Sequence, residues 1–243
     1  MNENKILKST IIGSISGGSG YLLTLPIDTI KQNIQSGNKI SFNNINYFRG
    51  GILGLTTIIP QMAIKFSANS YLEHNFKFNP LINGFIAGFF DGAFLGPLLA
   101  SQSLMQMDNK LNYKKSFNLL KNNNSIIQLA IPMAIRNGIY TSFLIGGYRL
   151  IEKKNNTFLQ DIYYGTLLNI PGTLLCSPAD VVRAKQTSLI LKNIKSNLFQ
   201  ITKNIYKEDG IAGFFKGYKV LYINFAIRFP LTLAIFNYLF RKS

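Results

Sequence analysis

Three ten-residue segments of this 243-residue chain follow one plan, and that repetition constrains its fold more than any other feature. They read PIDTIKQNIQ at 26–35, PLLASQSLMQ at 97–106 and PADVVRAKQT at 178–187. Each opens on a proline: Pro26, Pro97 or Pro178. Two positions later stand Asp28, Leu99 and Asp180, and five positions later Lys31, Gln102 and Arg183. The ninth position after each proline holds Gln35, Gln106 or Thr187. Upstream, Gly13, Gly84 and Gly165 share one register, and Gly17, Gly88 and Asn169 share the next helical turn. Two repeats therefore contain G-x-x-x-G, a spacing that lets helices approach closely in a membrane. Such self-similarity points to one supersecondary unit used three times. The units are read as 1–78, 79–157 and 158–243.

Charge is nearly absent from six windows of membrane-crossing length. Windows 9–27 and 162–179 carry none; 52–72 carries only Lys65, 81–107 only Asp91, 125–148 only Arg136 and 220–240 only Arg228. A helix needs about 20 residues to cross a bilayer, and helices satisfy their own backbone there. Ser, Thr, Asn, Gly and Tyr recur inside the windows, which suits helices with one face on lipid and one on a polar interior. The expected fold is an all-α membrane protein: six transmembrane helices in three pseudo-symmetric pairs, with short helices on one side.

Composition separates this from its rivals. Only 15% of residues are charged, against roughly a quarter in soluble domains. Yet 26 Lys+Arg outnumber 10 Asp+Glu, for a net charge of +16. A soluble enzyme, or a soluble all-α core, would carry more charge of both signs. A nucleic-acid binder would seldom dilute its basic excess in so much apolar sequence, so no nucleic-acid partner is expected. A single cysteine, Cys176, excludes a disulfide framework and a cysteine zinc site. A single histidine, His74, argues against histidine-metal and Ser-His-Asp chemistry. No catalytic residue, metal or cofactor is expected. Cys176 reads as a small packing residue and His74 as a helix-end residue. The stretch after the first nine residues lacks a small-residue cleavage site, so a cleavable signal is not expected.

The proline segments resemble the signature of the mitochondrial carrier family, P-x-[DE]-x-x-[KR] three times over. The third repeat resembles it best, with Pro178, Asp180 and Arg183 followed by EDGIAGFFKG at 208–217. The first matches at its proline motif and at Tyr47, Phe48, Arg49 and Gly50. The second keeps only Pro97, Gln106 and the glycines. The chain is shorter than the family pattern, most of all after Pro26. The shortened connections and the Asn-, Ile- and Lys-rich composition also resemble trimmed carrier-like proteins of giant DNA viruses.

The resemblance implies a solute carrier of the mitochondrial inner membrane, expected as a monomer, working by alternating access. It implies kinks at Pro26, Pro97 and Pro178 that bring three helix ends together, with a gate just beyond them. Carried over residue by residue, Asp180 pairs with Lys31, Asp28 faces the neutral Gln102, and Arg183 faces Leu99 and lacks its acid. At the opposite end the family positions are Ser70 and Glu73, Arg149 and Glu152, and Phe236 and Leu239, where Glu73 and Arg149 can still pair. Cardiolipin, the expected bound lipid, is implied at Arg49, Gly50, Lys216 and Gly217.

Charges inside membrane segments usually face a cavity or a partner. Lys65, Arg136 and Arg228 against Asp91 give a cavity of net positive charge, suited to a small anionic solute. By the family's contact positions, Arg136 with Asn137 beside it is the principal anion-binding residue. Thr57 and Asn224 are the polar contacts, and Lys65 and Arg228 lie a turn or two away. Tyr21, Tyr140 and Phe143 are candidates to stack on a base. The substrate is read as a nucleotide or deoxynucleotide. Arg followed by Asn resembles the carboxylate and keto-acid carriers, which is the alternative. A non-transporting receptor or tether on the same scaffold is another, motivated by the decayed second repeat.

Overall fold

The computed structural model describes residues 3–36, 47–48, 51–76, 78–108, 110–122, 125–151 and 156–242. All regular structure among them is helical. The long rods are α1 (Glu3–Ser36), α2 (Gly51–Phe76), α3 (Pro80–Met107), α5 (Ile126–Thr141), α7 (Phe158–Leu191) and α9 (Tyr218–Lys242). Rod α5 continues through a π-helical stretch, Ser142–Gly147, into α6 (Tyr148–Ile151). Two short helices, α4 (Tyr113–Asn122) and α8 (Leu198–Asp209), lie in connections at the other end.

The rods close a ring in chain order. α1 packs on α2, α3 on α5 and α7 on α9; α2 on α3, α5 on α7 and α9 on α1 complete the circle. Lys8 lies over the Phe240 ring at 4.7 Å, so the start of α1 and the end of α9 share one end of the ring. Pro26, Pro97 and Pro178 sit inside α1, α3 and α7, where each removes one backbone hydrogen bond. Residues just beyond them meet across the axis: Asn33 Nδ2 donates to the Gln106 carbonyl at 3.3 Å, and Arg183 Nη1 to Ser103 Oγ at 2.7 Å.

Helix starts follow local chemistry. Asn79 caps α3, whose first residue is proline. Thr157 with Gln160 and Asn197 with Gln200 form capping boxes at α7 and α8. Gly210, at φ 63°, ends α8 in a conformation that glycine adopts without steric cost.

The tightest helix pair is α3 with α5. At Gly92 a Cβ would lie 2.5 Å from the Met133 carbonyl oxygen and 2.7 Å from Ala134 Cα. Gly84, Gly88 and Gly96 repeat that close approach along α3. The sequence pattern showed the first two of these glycines; the stripe extends two turns further.

The solvent-type distribution is inverted. Asp28, Lys31, Lys65, Asp91, Asp180 and Arg183 are buried, while Leu23, Ile52, Phe94, Ile127 and Leu159 are exposed on the outside. An apolar outside of this kind fits lipid. It also explains hydropathy along the chain. Three helical stretches are apolar and long enough to cross a membrane by themselves, Gly51–Phe76, Pro80–Met107 and Ile211–Arg241. The other rods give too much of their length to polar residues facing inward, including Ser16, Thr24, Asn137, Asn169 and Thr173.

Candidate functional site

Beyond the prolines, five charged side chains converge from α1, α5 and α7. Asp180 is fully buried and holds three cations. Its Oδ1 lies 3.1 Å from Arg136 Nε and 3.1 Å from Arg183 Nη2, and its Oδ2 lies 3.5 Å from Lys31 Nζ. Asp28 adds a second carboxylate, 3.1 Å from Lys31. Neutral groups complete the layer: Arg183 Nη2 donates to Gln32 Oε1 at 3.0 Å, and Gln106 Nε2 to Asp28 Oδ2 at 3.3 Å.

Two expectations for this layer need correction. Arg183 does not lack an acid: a residue one helical turn earlier, Asp180, reaches back along α7 to it. Asp28 does not face Gln102; its amide partner is Gln106, one turn on. Gln102 instead donates to the Tyr21 hydroxyl at 2.8 Å. Gln106 was visible in the sequence as the ninth position after its proline, but its depth relative to Asp28 was not.

A cavity of about 70 Å³ lies between this layer and the middle of the ring, lined among others by Tyr21, Thr57, Lys65, Arg136, Tyr140 and Arg228. Binding sites for organic solutes run to ~300–1,000 Å³, so the cavity is smaller than such a solute needs. Tyr140 packs against Phe225 and Phe229, with ring centroids at 4.4 and 5.0 Å. Towards the terminal end, Phe66 of α2 stacks on Phe236 of α9 at 4.1 Å.

The cavity cations differ in how they are held. Lys65 Nζ is 3.2 Å from Asp91 Oδ2, and both are buried. Asn137 Nδ2 donates to the same oxygen at 2.9 Å and its Oδ1 accepts from Arg136 Nη1 at 2.7 Å. Arg136 also lies over the Phe225 ring at 5.2 Å. Arg228 lies over the Tyr21 ring at 5.0 Å and has no carboxylate within 4.0 Å among the described residues. Thr57 lines the cavity, with its hydroxyl bonded to the Gly54 carbonyl.

Three further site residues sit elsewhere than expected. Asn224 is buried and donates to the Thr24 carbonyl at 3.2 Å, tying α9 to α1 instead of facing the cavity. Asn137 is buried behind Arg136 and serves it as a support. Phe143 packs on Gly172 of α7 and not towards the cavity, because the π-helical stretch turns it outward.

At the terminal end, Glu73 and Arg149 approach to 3.7 Å on an exposed surface, where such a pair contributes little. A buried carboxylate not singled out in the sequence does more. Asp161 accepts a hydrogen bond from the Tyr148 hydroxyl and lies 3.3 Å from Arg241, which also donates to the Asn156 carbonyl. Asp161 stood just outside a charge-free window, so no pattern marked it. Lys216 is exposed and bonds Asp209 at 3.2 Å, and Gly217 has φ 79°. Arg49, Gly50 and Glu152 lie outside the described residues.

Residues 154–241, which span α7 to α9, match the model of the mitochondrial carrier protein family. The match covers the third repeat alone, so this part of the chain is similar to mitochondrial carrier proteins. No curated relative matches the chain. The apolar outer helices suit a membrane.

Proposed function

We propose that this carrier exchanges an organic anion of about two negative charges across the inner mitochondrial membrane by alternating access. The observation that carries this is the charge around the cavity. Five cations, Lys31, Lys65, Arg136, Arg183 and Arg228, face three carboxylates, Asp28, Asp91 and Asp180. The excess of two lies on the cavity wall, where Arg136 and Arg228 are half-buried. A dianion between Arg136 and Arg228 neutralises it. Arginine suits phosphate and carboxylate because it offers two parallel donors.

A nucleotide is the first substrate class to test. Its phosphates would sit on Arg136 and Arg228, and Tyr21 and Tyr140 offer flat faces beside them. A compact dicarboxylate is the second reading, favoured by Phe143 facing away and by the fixed Arg136–Asn137 unit. The helix pairs of 1–78, 79–157 and 158–243 are proposed to rock as units, with cardiolipin as the bound lipid and a monomer as the working form.

The test is counter-exchange in proteoliposomes. Vesicles loaded with ADP, or separately with malate, are given the same labelled solute outside, with empty vesicles as the control. Uptake that depends on internal anion supports the proposal. Absence of uptake for both, with protein correctly folded and inserted, favours the receptor or tether reading.

A further inference from the structure

We propose that Asp180 is an internal competitor for the transported anion at Arg136. This rests on the anion reading above and assigns Asp180 a role in affinity as well as in closure. Each cation on Asp180 has other support except one. Lys31 keeps Asp28 at 3.1 Å. Arg183 keeps Gln32 and Ser103. The remaining partners of Arg136 are neutral, the Asn137 amide oxygen and the Phe225 ring. Among the described residues, Asp180 is the sole carboxylate within 4.0 Å of Arg136.

A guanidinium grips an anion through two adjacent N–H groups on one edge. Two nitrogens of Arg136 already face acceptors: Nη1 donates to Asn137, and Asp180 Oδ1 lies 3.1 Å from Nε as an ion pair without an aligned hydrogen bond. Asn137 is itself fixed by Asp91, so it holds its place. A two-pronged contact to an incoming anion therefore requires the Asp180 carboxylate to leave Nε. Two anions on one guanidinium also repel. Asp180 thus lowers the affinity of the closed carrier for its solute. Once displaced, it retains Lys31 and Arg183 but loses the ion pair that ties α5 to α7. Solute binding and loosening of the ion layer become one event, as a coupling between two sites requires.

The purified full-length carrier is titrated with ADP and, separately, with malate, reading apparent Kd from the ligand-dependent shift of its melting temperature. Asp180→Asn should tighten binding by about tenfold, the scale of one partly screened charge contact. Asp28→Asn removes a carboxylate of the same layer that makes no ion pair with Arg136, and should tighten binding clearly less than Asp180→Asn. In an Arg136→Ala background, Asp180→Asn should give no tightening. Should Asp180→Asn alone fold poorly, Asp180→Asn with Arg183→Gln, measured against Arg183→Gln, keeps the net charge and tests the same step. Unchanged or weaker binding in both Asp180 variants overturns the competitor role. So does equal tightening in Asp28→Asn, which would mark general loosening of the layer. If no form of the protein binds either anion, the anion reading itself fails.

Discussion

Removing the Asp91 charge should destabilise the protein more than most single substitutions, and removing Lys65 with it should repair the damage. Lys65 is 3% exposed and Asp91 0%, with 3.2 Å between their charged atoms. At an effective dielectric near 20, that separation corresponds to about 5 kcal/mol of gross attraction. Desolvation offsets much of it, so the pair contributes little net stability. Breaking one side is different, because it strands a buried ammonium at a cost of about 3–5 kcal/mol. For a chain of this size, that lowers the melting temperature by roughly 6–20 °C. Asp91→Asn is the suitable change, since the new amide oxygen still accepts from Asn137 while the charge is gone. Cys176 makes the assay simple: it is the one cysteine and is fully buried, so a thiol-reactive dye reports unfolding. Asp91→Asn should melt well below the wild type, and Lys65→Met with Asp91→Asn should return to within a few degrees. The double variant should still transport, because removing the pair together leaves the charge excess at Arg136 and Arg228 unchanged. A single variant melting within 2 °C of wild type, or a double variant as unstable as the single, would refute this reasoning.

Two further outcomes follow from the geometry. Lys31→Ala removes the cation shared by Asp28 and Asp180, and should give proteoliposomes that leak solute without exchange; tight, normally exchanging vesicles would show that this layer does not close the carrier. Gly92→Leu drives a side chain into the α5 backbone and should cost about 3 kcal/mol or prevent folding, read by early dye labelling of Cys176; Gly18→Leu, where a Cβ meets nothing within 4 Å, should melt like wild type.

Much of the architecture was legible because repetition and charge avoidance are properties of the chain itself. The three prolines, the spacing of Asp28, Lys31, Asp180 and Arg183, and the lone charges Lys65, Asp91, Arg136 and Arg228 all stand in the sequence. What the sequence could not supply was depth and rotation. A one-turn offset between α1 and α3 gives Asp28 to Gln106 instead of Gln102. Back-reach along α7 gives Arg183 an acid from its own helix. The π-helical stretch after Thr141 shifts the register of α5, which turns Phe143 onto α7. Asp161 was overlooked for another reason: its partners Tyr148 and Arg241 come from separate helices, so no spacing could announce them.

The measurement closest to the central claim is anion exchange in proteoliposomes by Arg136 variants, with folding checked on the same preparations. Arg136 is the cation that links the cavity to the ion layer, through Asn137 on one edge and Asp180 on the other. Arg136→Ala should fold and insert yet lose at least about 90% of exchange, a loss of 1.4 kcal/mol or more in the productive interaction. Arg136→Lys should recover only part of it, because an ammonium cannot make the two-pronged contact. Normal exchange by Arg136→Ala would contradict the account and remove the cavity cations as the basis for the proposed anion binding.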